Sequence, residues 1–220
     1  MPSLKGTVSR VVLPFTRGGG SKQIRKKGHR NYVGGSWEEF GQLQFDFMVG
    51  QGLEPNHVFV DVACGSLRAG VHFIPYLEPG NYLGIDRQPL LIERGVEMEL
   101  GPELAEQKRP EFVISSDFEF DKFSKQPDFG IANSLFTHLE PKHIEQCLRN
   151  LRAVGGCRFF VSFKEVTKPR RNPLRSADYR GFWYTQKQMA EMGERTGWSA
   201  HYVGDWGHRR GLMMMEYRPA

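Results

Sequence analysis

The chain has 220 residues, enough for one domain with its own core, and 39% of them are hydrophobic. No run approaches the roughly 20 consecutive apolar residues of a membrane-spanning helix, so the composition argues against a membrane span. The net charge of +5 comes from residues 1–30, which hold eight Lys or Arg and no acid, whereas the remainder has 22 basic and 25 acidic residues. The remainder is therefore not expected to present a broad nucleic-acid surface.

The basic N-terminal segment, residues 1–31, contains three glycines followed by a serine. This composition is typical of a linker, and we expect a flexible segment that precedes one domain over residues 32–220. The cysteines are scattered and have no zinc-like spacing, which predicts reduced, buried thiols, no metal site and a cytoplasmic location. They are Cys64, Cys147 and Cys157.

A helix is predicted after Ser36, which is spaced as an N-cap with Glu39 as its capping-box partner. Residues 57–86 then predict a strand, a small-residue turn, a helix and a second strand, the βαβ plan of a nucleotide-binding half. Gly65 in the turn has no Cβ, so a ligand can approach its backbone closely, and the next helix points free N–H groups at the same place. Asp86 ends the second strand, where a carboxylate can accept the hydroxyls of a ribose.

A complete dinucleotide-binding glycine pattern is absent, because Ala63 and Leu67 stand where glycines are required. A pyrophosphate needs that pattern, so NAD and FAD are disfavoured and a nucleoside without phosphates is favoured. Strands and helices alternate through the rest of the chain, which predicts an α/β fold. These are a helix over 90–100, strands over 111–115 and 129–134, a helix over 141–151, a strand over 157–163, a helix over 185–196 and a closing hairpin over 198–217. Thr185 is spaced as the N-cap of the last helix, with Gln188 as its capping-box partner.

Four short motifs follow one another in a recognisable order: DVACG at 61–65, GID at 84–86, SSDFE at 115–119 and FGIANSLFTHL at 129–139. With them the chain resembles the class I S-adenosyl-L-methionine (SAM)-dependent methyltransferases, in particular those of bacteria that act on small molecules and glycans. The resemblance covers approximately residues 40–218. It implies SAM as the cofactor and a Rossmann-like, mostly parallel seven-stranded sheet of order 3-2-1-4-5-7-6, with an antiparallel last hairpin and helices on both faces.

The resemblance also implies a set of cofactor contacts. The usual first motif is D-x-G-x-G, so the chain departs from it at Ala63 and matches it at Gly65. Asp117 is expected to accept from the adenine amino group while Phe118 packs on the ring, and the alternative for Asp117 is a helix N-cap. The expected cofactor residues are Asp61, Ala63, Cys64, Gly65, Asp86, Arg87, Asp117, Phe118, Asn133 and Ser134.

The end of the fourth strand is expected to border the transferred methyl group from Asn133 to His138. Amino-group methyltransferases of nucleic acids and proteins carry an N-P-P-Y-type element here, and this chain has no prolines in it, which disfavours N-methylation of bases or glutamine. A hydroxyl acceptor needs a base, and histidine titrates near neutral pH. His138 is the best-placed histidine, with helix capping or packing against the sheet as its alternative.

A polar, basic insertion over 166–184 follows the fifth strand and is expected to cap the acceptor. Its arginines suit an acidic or polyhydroxyl partner and its aromatic residues suit a sugar or ring face; the alternative is a solvated loop with aromatics in the core. The helix before the first strand is expected to wall the same pocket, with core packing as its alternative. The candidate acceptor contacts are Tyr32, Trp37, Glu165, Trp183 and Tyr184.

The sequence therefore predicts a SAM-dependent methyltransferase that methylates a hydroxyl of a sugar, a glycan or another small polar molecule. Two alternatives stay open: an RNA methyltransferase that uses the basic N-terminal segment, and a non-catalytic module that binds SAM. A homo-oligomer and a divalent ion held by scattered acids also stay open, although no histidine pattern indicates a metal site.

Overall fold

The computed structural model describes residues 19–176 and 181–220. The chain divides into two compact units, the first ending at Ser116 and the second beginning at Asp117. Within the described residues, no helix is long and apolar enough to cross a membrane.

The first unit contains a three-stranded parallel sheet with helices around it. Its strands are fully or largely buried, which is why they read as short apolar runs rather than alternating patterns. The strand order is β3-β2-β1, and Asp61 pairs with Gly84 in the register of β1 and β2. The elements are α1 (Gly19–Lys27), α2 (His29–Tyr32), α3 (Trp37–Gly50), β1 (Phe59–Val62), α4 (Gly70–Tyr76), β2 (Tyr82–Asp86), α5 (Pro89–Arg94), a π-helical segment (Gly95–Leu100), α6 (Pro102–Lys108) and β3 (Glu111–Ile114).

The second unit has the strand order β4-β5-β8-β7, with the two-residue β6 paired to the end of β5. β4 and β5 are parallel, whereas β8 runs antiparallel to both β5 and β7. Its elements are a 3₁₀ turn (Phe120–Lys122), β4 (Phe129–Ala132), a second 3₁₀ turn (Phe136–His138), α7 (Pro141–Ala153), β5 (Arg158–Glu165), β6 (Trp183–Tyr184), α8 (Gln186–Glu194), β7 (Trp198–Asp205) and β8 (Met213–Pro219).

The predicted Rossmann-like architecture is confirmed. The orders 3-2-1 and 4-5-7-6 both occur, the last hairpin being numbered β7 and β8 because of the additional β6. The sequence missed β6, which is too short to show a pattern, and α6, which Pro102 begins. The capping box of Thr185 and Gln188 is present. The one expected at Ser36 is not, because Ser36 has a φ of 47° and its side chain caps nothing.

The N-terminal segment that we expected to be flexible is helical where the structure describes it. Ile24 of α1 is 2% exposed and packs in a cluster with Leu90 and Leu91 of α5. One buried isoleucine inside a basic run gives no periodic pattern, so the sequence did not indicate this anchor. Residues 1–18 lie outside the described part. The three cysteines are buried and form no disulfide, as predicted.

Candidate active site

The turn after β1 has an unusual backbone. Ala63, Gly65 and Leu67 all have positive φ, at 62°, 57° and 65°. Left-handed conformations are unfavourable for residues with a Cβ, and such strain persists where surrounding contacts hold it. Here the N–H groups of Ala63 and Cys64 both donate to the carbonyl of Ile85, at 2.8 and 3.1 Å. The loop is thereby held against the end of β2.

Asp86 fixes the other side of this loop. Its Oδ2 accepts from the Gly65 N–H at 3.0 Å, and its Oδ1 accepts from the Gln88 N–H at 2.8 Å. The residue is 9% exposed. A carboxylate oxygen can accept more than one hydrogen bond, so Asp86 can also receive vicinal hydroxyls of a ligand. Arg87, the next residue, is exposed.

The side chain of Asp61 is buried beneath the turn that follows β1. It is 4% exposed, and its Oδ2 accepts from the Tyr82 hydroxyl at 2.9 Å. Burial raises the pKa of Asp61 to about 7, against the smaller opposing effects of the Tyr82 hydrogen bond and Arg68. Burial likewise raises the pKa of the neighbouring Cys64 thiol. The Cys64 thiol therefore stays protonated at neutral pH, whereas Asp61 carries its proton at acidic pH and loses it near neutrality.

Residues 29–37, which we call the strap, pass over the turn that follows β1, within the first unit. Arg68 Nη1 donates to the carbonyls of Val33 and Gly35, at 3.0 and 3.3 Å. A Cβ on Gly65 would come 3.0 Å from Val33 Cγ1. Glycine is thus favoured here by its backbone conformation, and a Cβ would in addition press against Val33. The sequence did not reveal Val33 or Arg68 as site residues, because their contact joins positions 35 residues apart.

A buried carboxylate anchors the strap. Glu99 has a 5%-exposed side chain and forms hydrogen bonds with His29 and Arg30. The hydrogen bond from Arg30 lowers the pKa of Glu99, and His29 adds to this effect against the opposing cost of burial. The Arg30 guanidinium also lies 4.9 Å from the ring centroid of Trp37. Trp37, the last residue of the strap, is 7% exposed and is therefore a core-packing residue, which was the alternative for its helix.

Tyr32, the other predicted acceptor contact of the first unit, is half-buried. It packs against the cluster of Ile24, Leu90 and Leu91. Its ring therefore helps to attach the strap to α5.

In the second unit, the end of β4 forms a small hydrogen-bond network. The Ser134 N–H donates to Ser162 Oγ at 2.7 Å, and Ser162 Oγ lies 2.8 Å from Asn133 Oδ1. Because Ser162 already accepts from an N–H, its own proton goes to Asn133, which sets the amide with its oxygen toward Ser162. Ser134 Oγ also lies 3.3 Å from Asn133 Oδ1. Asn133 Nδ2 is buried and has no hydrogen-bond partner among the described residues.

The turn that carries His138 is tied on both sides. Thr137 Oγ1 donates to the Ser134 carbonyl at 2.7 Å, and the Thr137 carbonyl accepts from the Phe182 N–H at 2.8 Å. His138 is half-buried at the end of this turn. The following helix α7 has Glu140 as its N-cap residue, without a side-chain cap. His138 therefore does not cap that helix.

Asp117 and Phe118 are held by α7. Asn150 Nδ2 donates to the carbonyls of both residues, at 2.9 and 3.1 Å. The Asp117 side chain is exposed and Phe118, half-buried, has a φ of 58°. The N-cap residue of the next 3₁₀ turn is Glu119, so Asp117 is not a helix cap. The loop that carries the Asp117 carboxylate is thus held in place by the hydrogen bonds from Asn150 to its backbone.

The predicted acceptor residues of the second unit have different environments. Glu165 accepts from the Tyr202 hydroxyl at 2.6 Å and from Gln186 Nε2 at 2.7 Å. Trp183 is half-buried. Tyr184 is 1% exposed, and its hydroxyl donates to the Leu139 carbonyl at 2.6 Å. Tyr184 is therefore a packing residue, because neither its ring nor its hydroxyl offers a surface to an acceptor.

The described residues contain no group of three or more His, Cys, Asp or Glu side chains that could hold a metal ion. Arg180, part of the basic insertion, lies outside those residues.

No protein-family model matches the chain, but solved structures share its fold. Magnesium protoporphyrin IX methyltransferase from Synechocystis PCC 6803, with bound SAM, aligns over 96% of this chain and 88% of its own, with a TM-score of 0.60 and 13% identity. The DhpI complex with SAH (S-adenosylhomocysteine) aligns over 91% of this chain and 95% of its own, with a TM-score of 0.62 and 14% identity. Human N-acetylserotonin methyltransferase in complex with SAM has a TM-score of 0.64 at 13% identity over 90% of this chain, which spans 57% of that enzyme.

Proposed function

We propose that this chain, which has the fold of class I SAM-dependent methyltransferases, is itself a SAM-dependent methyltransferase that methylates an oxygen of a small polar acceptor, with residues 32–220 as its catalytic domain. The observation that carries the proposal is the hydrogen bond from the Gly65 N–H to the Asp86 carboxylate, at the carboxyl ends of β1 and β2. Ligands of open α/β sheets bind at the carboxyl ends of the strands. SAM is the cofactor that this arrangement fits best.

The residues present suit SAM in three respects. Gly65 has a φ of 57°, which glycine adopts without strain, and it therefore allows the turn at the carboxyl end of β1. Asp86 has a carboxylate that can accept from the ribose hydroxyls, and for the adenine we retain Asp117 and Phe118 as the predicted contacts. No part of this set needs the phosphate-binding glycines that the chain lacks.

The network at Asn133 favours oxygen over nitrogen as the methylated atom. The amide oxygen already accepts hydrogen bonds from Ser162 and Ser134, so it is poorly placed to hold the N–H groups of an amine. The remaining polar atom is the Nδ2 donor, and a buried donor without a partner is unfavourable. An acceptor hydroxyl can satisfy it, because its oxygen has one lone pair for this hydrogen bond and a second for attack on the methyl group, whereas an amine nitrogen has only one.

When bound, SAM supplies an electrophilic methyl group on its sulfonium. The chain must then orient the acceptor and remove the hydroxyl proton. In this proposal His138 is the base that accepts the hydroxyl proton. The turn that carries it is held by the Thr137 hydroxyl on one side and by the Phe182 N–H on the other. A sugar, a glycan or another small polar molecule as the acceptor and a cytoplasmic location are further parts of this proposal.

The test is release of SAH from SAM in the presence of candidate sugars and phenols, with products identified by mass. His138→Ala should lower turnover by about 10²-fold or more, the usual contribution of a general base, while SAM affinity is unchanged. His201→Ala is a matched control, since His201 is an exposed residue on β7. Full turnover by His138→Ala would remove this residue from the role. Methylation of an acceptor nitrogen would refute the proposed chemistry.

The RNA alternative has one observation in its favour. The helix α1 exposes four cations, which are Lys22, Arg25, Lys26 and Lys27. If they contact RNA, removing residues 1–28 should abolish RNA affinity, and the affinity of the full chain should fall steeply with salt. SAM binding without turnover on any acceptor would instead support the non-catalytic module.

A further inference from the structure

We infer that the acceptor carries an anionic group, a carboxylate, phosphate or sulfate, and that Lys164 and Arg170 bind this group beside the indole of Trp183. The inference rests on the proposed function, because it assigns the substrate class of the same site. It concerns residues of the second unit alone.

The charge of the insertion is the first argument. Residues 164–184 contain six Lys or Arg and two acids, a net charge of +4. One of the acids, Glu165, is already engaged by Tyr202 and Gln186. Successive residues of a strand point to opposite faces, so Glu165 is directed away from the side chain of Lys164. Among the described residues, no carboxylate forms an ion pair with Lys164 or Arg170.

Two of these cations converge on one ring. The Lys164 Nζ lies 4.9 Å and the Arg170 Cζ 4.0 Å from the centroid of Trp183. Because both distances end at the same centroid, the two charges are at most their sum, about 9 Å, apart. The two positive charges repel each other at this separation, and an anion bound between or beside them reduces the repulsion.

The lysine and the tryptophan of the cluster lie in paired strands, whereas Arg170 is in the exposed chain that follows β5. Trp183 and Tyr184 pair as β6 with Lys164 and Glu165 at the end of β5. Asn172 brackets the same tryptophan, because its Nδ2 donates to the Trp183 carbonyl at 2.8 Å and its Oδ1 accepts from the Trp183 N–H at 2.9 Å. A Cβ on Gly181 would come 2.7 Å from Lys164 Nζ. The lysine, the tryptophan and the returning chain are thus held close together.

The position and chemistry of the cluster favour a small anion over a polynucleotide. Its lysine lies at the carboxyl end of β5, which runs parallel to β4, and Asn133 directly follows β4. A guanidinium stacked on an aromatic ring keeps its N–H edge for planar, bidentate recognition of carboxylate or phosphate. Two charges around a single indole suit one anionic group, whereas RNA needs a stripe that follows several phosphates.

The experiment compares acceptors that differ only in charge. D-glucuronate is paired with D-glucose, and 4-hydroxybenzoate with 4-hydroxybenzyl alcohol, in the SAH-release assay at constant ionic strength. The variants are Lys164→Gln, Arg170→Gln and the double variant. Lys187→Gln is the control, because Lys187 is an exposed cation of α8 whose side chain is 84% exposed. A parallel titration with inorganic phosphate, followed by tryptophan fluorescence, needs neither SAM nor turnover.

We expect the anionic member of a pair to be used at least tenfold better than the neutral one, and each single variant to lose about tenfold of that preference. Phosphate should perturb the fluorescence of the wild type and of Lys187→Gln, and not that of the double variant. SAH affinity should be the same in all variants, which shows that they fold.

The inference is overturned if no anionic acceptor is preferred and phosphate does not bind, or if the double variant keeps both properties. Stronger binding of a single-stranded RNA oligonucleotide than of the small anions, lost in the double variant, would also overturn it. Failure of the proposed function looks different, because the wild type then fails to bind SAM while the phosphate titration still reports on the cluster.

Discussion

Replacing Asp61 by asparagine should change how the stability of the protein depends on pH. Burial raises the pKa of Asp61 from its usual 3.8 to about 7, so between these values the folded chain keeps a proton that the unfolded chain has lost. The folded state binds more protons, and the stability contributed by this group therefore falls as pH rises through that window. Asparagine does not titrate, so Asp61→Asn escapes this loss.

The size of the effect follows from the two pKa values. One unit corresponds to about 1.4 kcal/mol, and the part of the shift that lies between pH 5 and pH 8 is worth about 2 to 3 kcal/mol. The free energy of unfolding of Asp61→Asn, relative to the wild type, should rise by that amount between these two pH values. The comparison removes the pH dependence of other groups such as Glu99, whose pKa is shifted downward.

Urea denaturation of both proteins at pH 5, 6, 7 and 8 measures this difference. Asp46→Asn is the matched control, since Asp46 is exposed on α3 and, among the residues that the structure describes, accepts from Gln42 of the same helix alone. Its difference from the wild type should be independent of pH. If the difference in the free energy of unfolding between Asp61→Asn and the wild type is also independent of pH, Asp61 is ionised in the folded protein. That result would refute the raised pKa of this buried carboxyl.

Three further predictions concern the network, the strap and the loop. Ser162→Ala removes the hydroxyl that orients Asn133, so turnover should fall by about tenfold with unchanged SAM affinity, whereas Ser199→Ala on the exposed part of β7 should do nothing. Glu99→Gln should lower the free energy of unfolding by about 1 kcal/mol or less, because Arg30 is half-exposed, yet should speed amide exchange in residues 29–35. Ala63→Gly should stabilise the fold by about 0.5–1 kcal/mol, since relief of a left-handed alanine exceeds the entropy that glycine loses.

Each of these has an outcome that contradicts it. Equal loss of turnover and SAM affinity in Ser162→Ala would mean that the serine supports the cofactor site instead of the acceptor. Unchanged exchange of the strap in Glu99→Gln, read by mass spectrometry, would show that Arg68 alone holds it. A destabilised Ala63→Gly, measured by urea denaturation, would mean that the alanine methyl makes contacts that outweigh its strain.

The sheet could be predicted from the sequence because its strands depend on local patterns. Short apolar runs that end in Asp61 or Asp86 and are followed by helices leave few topologies for the chain. The capping box at Thr185 was visible for the same reason, since it depends on one spacing of three residues. At Ser36 the same spacing was misleading, because two preceding glycines allow a turn that places this residue outside the cap conformation.

The candidate site was harder to predict, because its contacts join distant positions. Arg68 reaches the strap through backbone carbonyls, which leave no mark in the sequence. Nothing in the sequence distinguishes Trp183 from Tyr184 as acceptor contacts. Because side chains alternate along β6, the tyrosine is buried, whereas the tryptophan contacts Lys164 and Arg170. The helix α1 was missed because its one buried side chain, Ile24, meets a surface formed by α5.

The most direct test of the central claim is calorimetric titration of the purified chain with SAM and SAH, repeated with Asp86→Ala and with Asp46→Ala as the control. The account predicts micromolar binding of both ligands by the wild type and the control. Asp86→Ala should fold but bind at least tenfold more weakly, since it loses the acceptor for the ribose hydroxyls. Absence of binding in the wild type, or equal binding in Asp86→Ala, would contradict the assignment of SAM to this site.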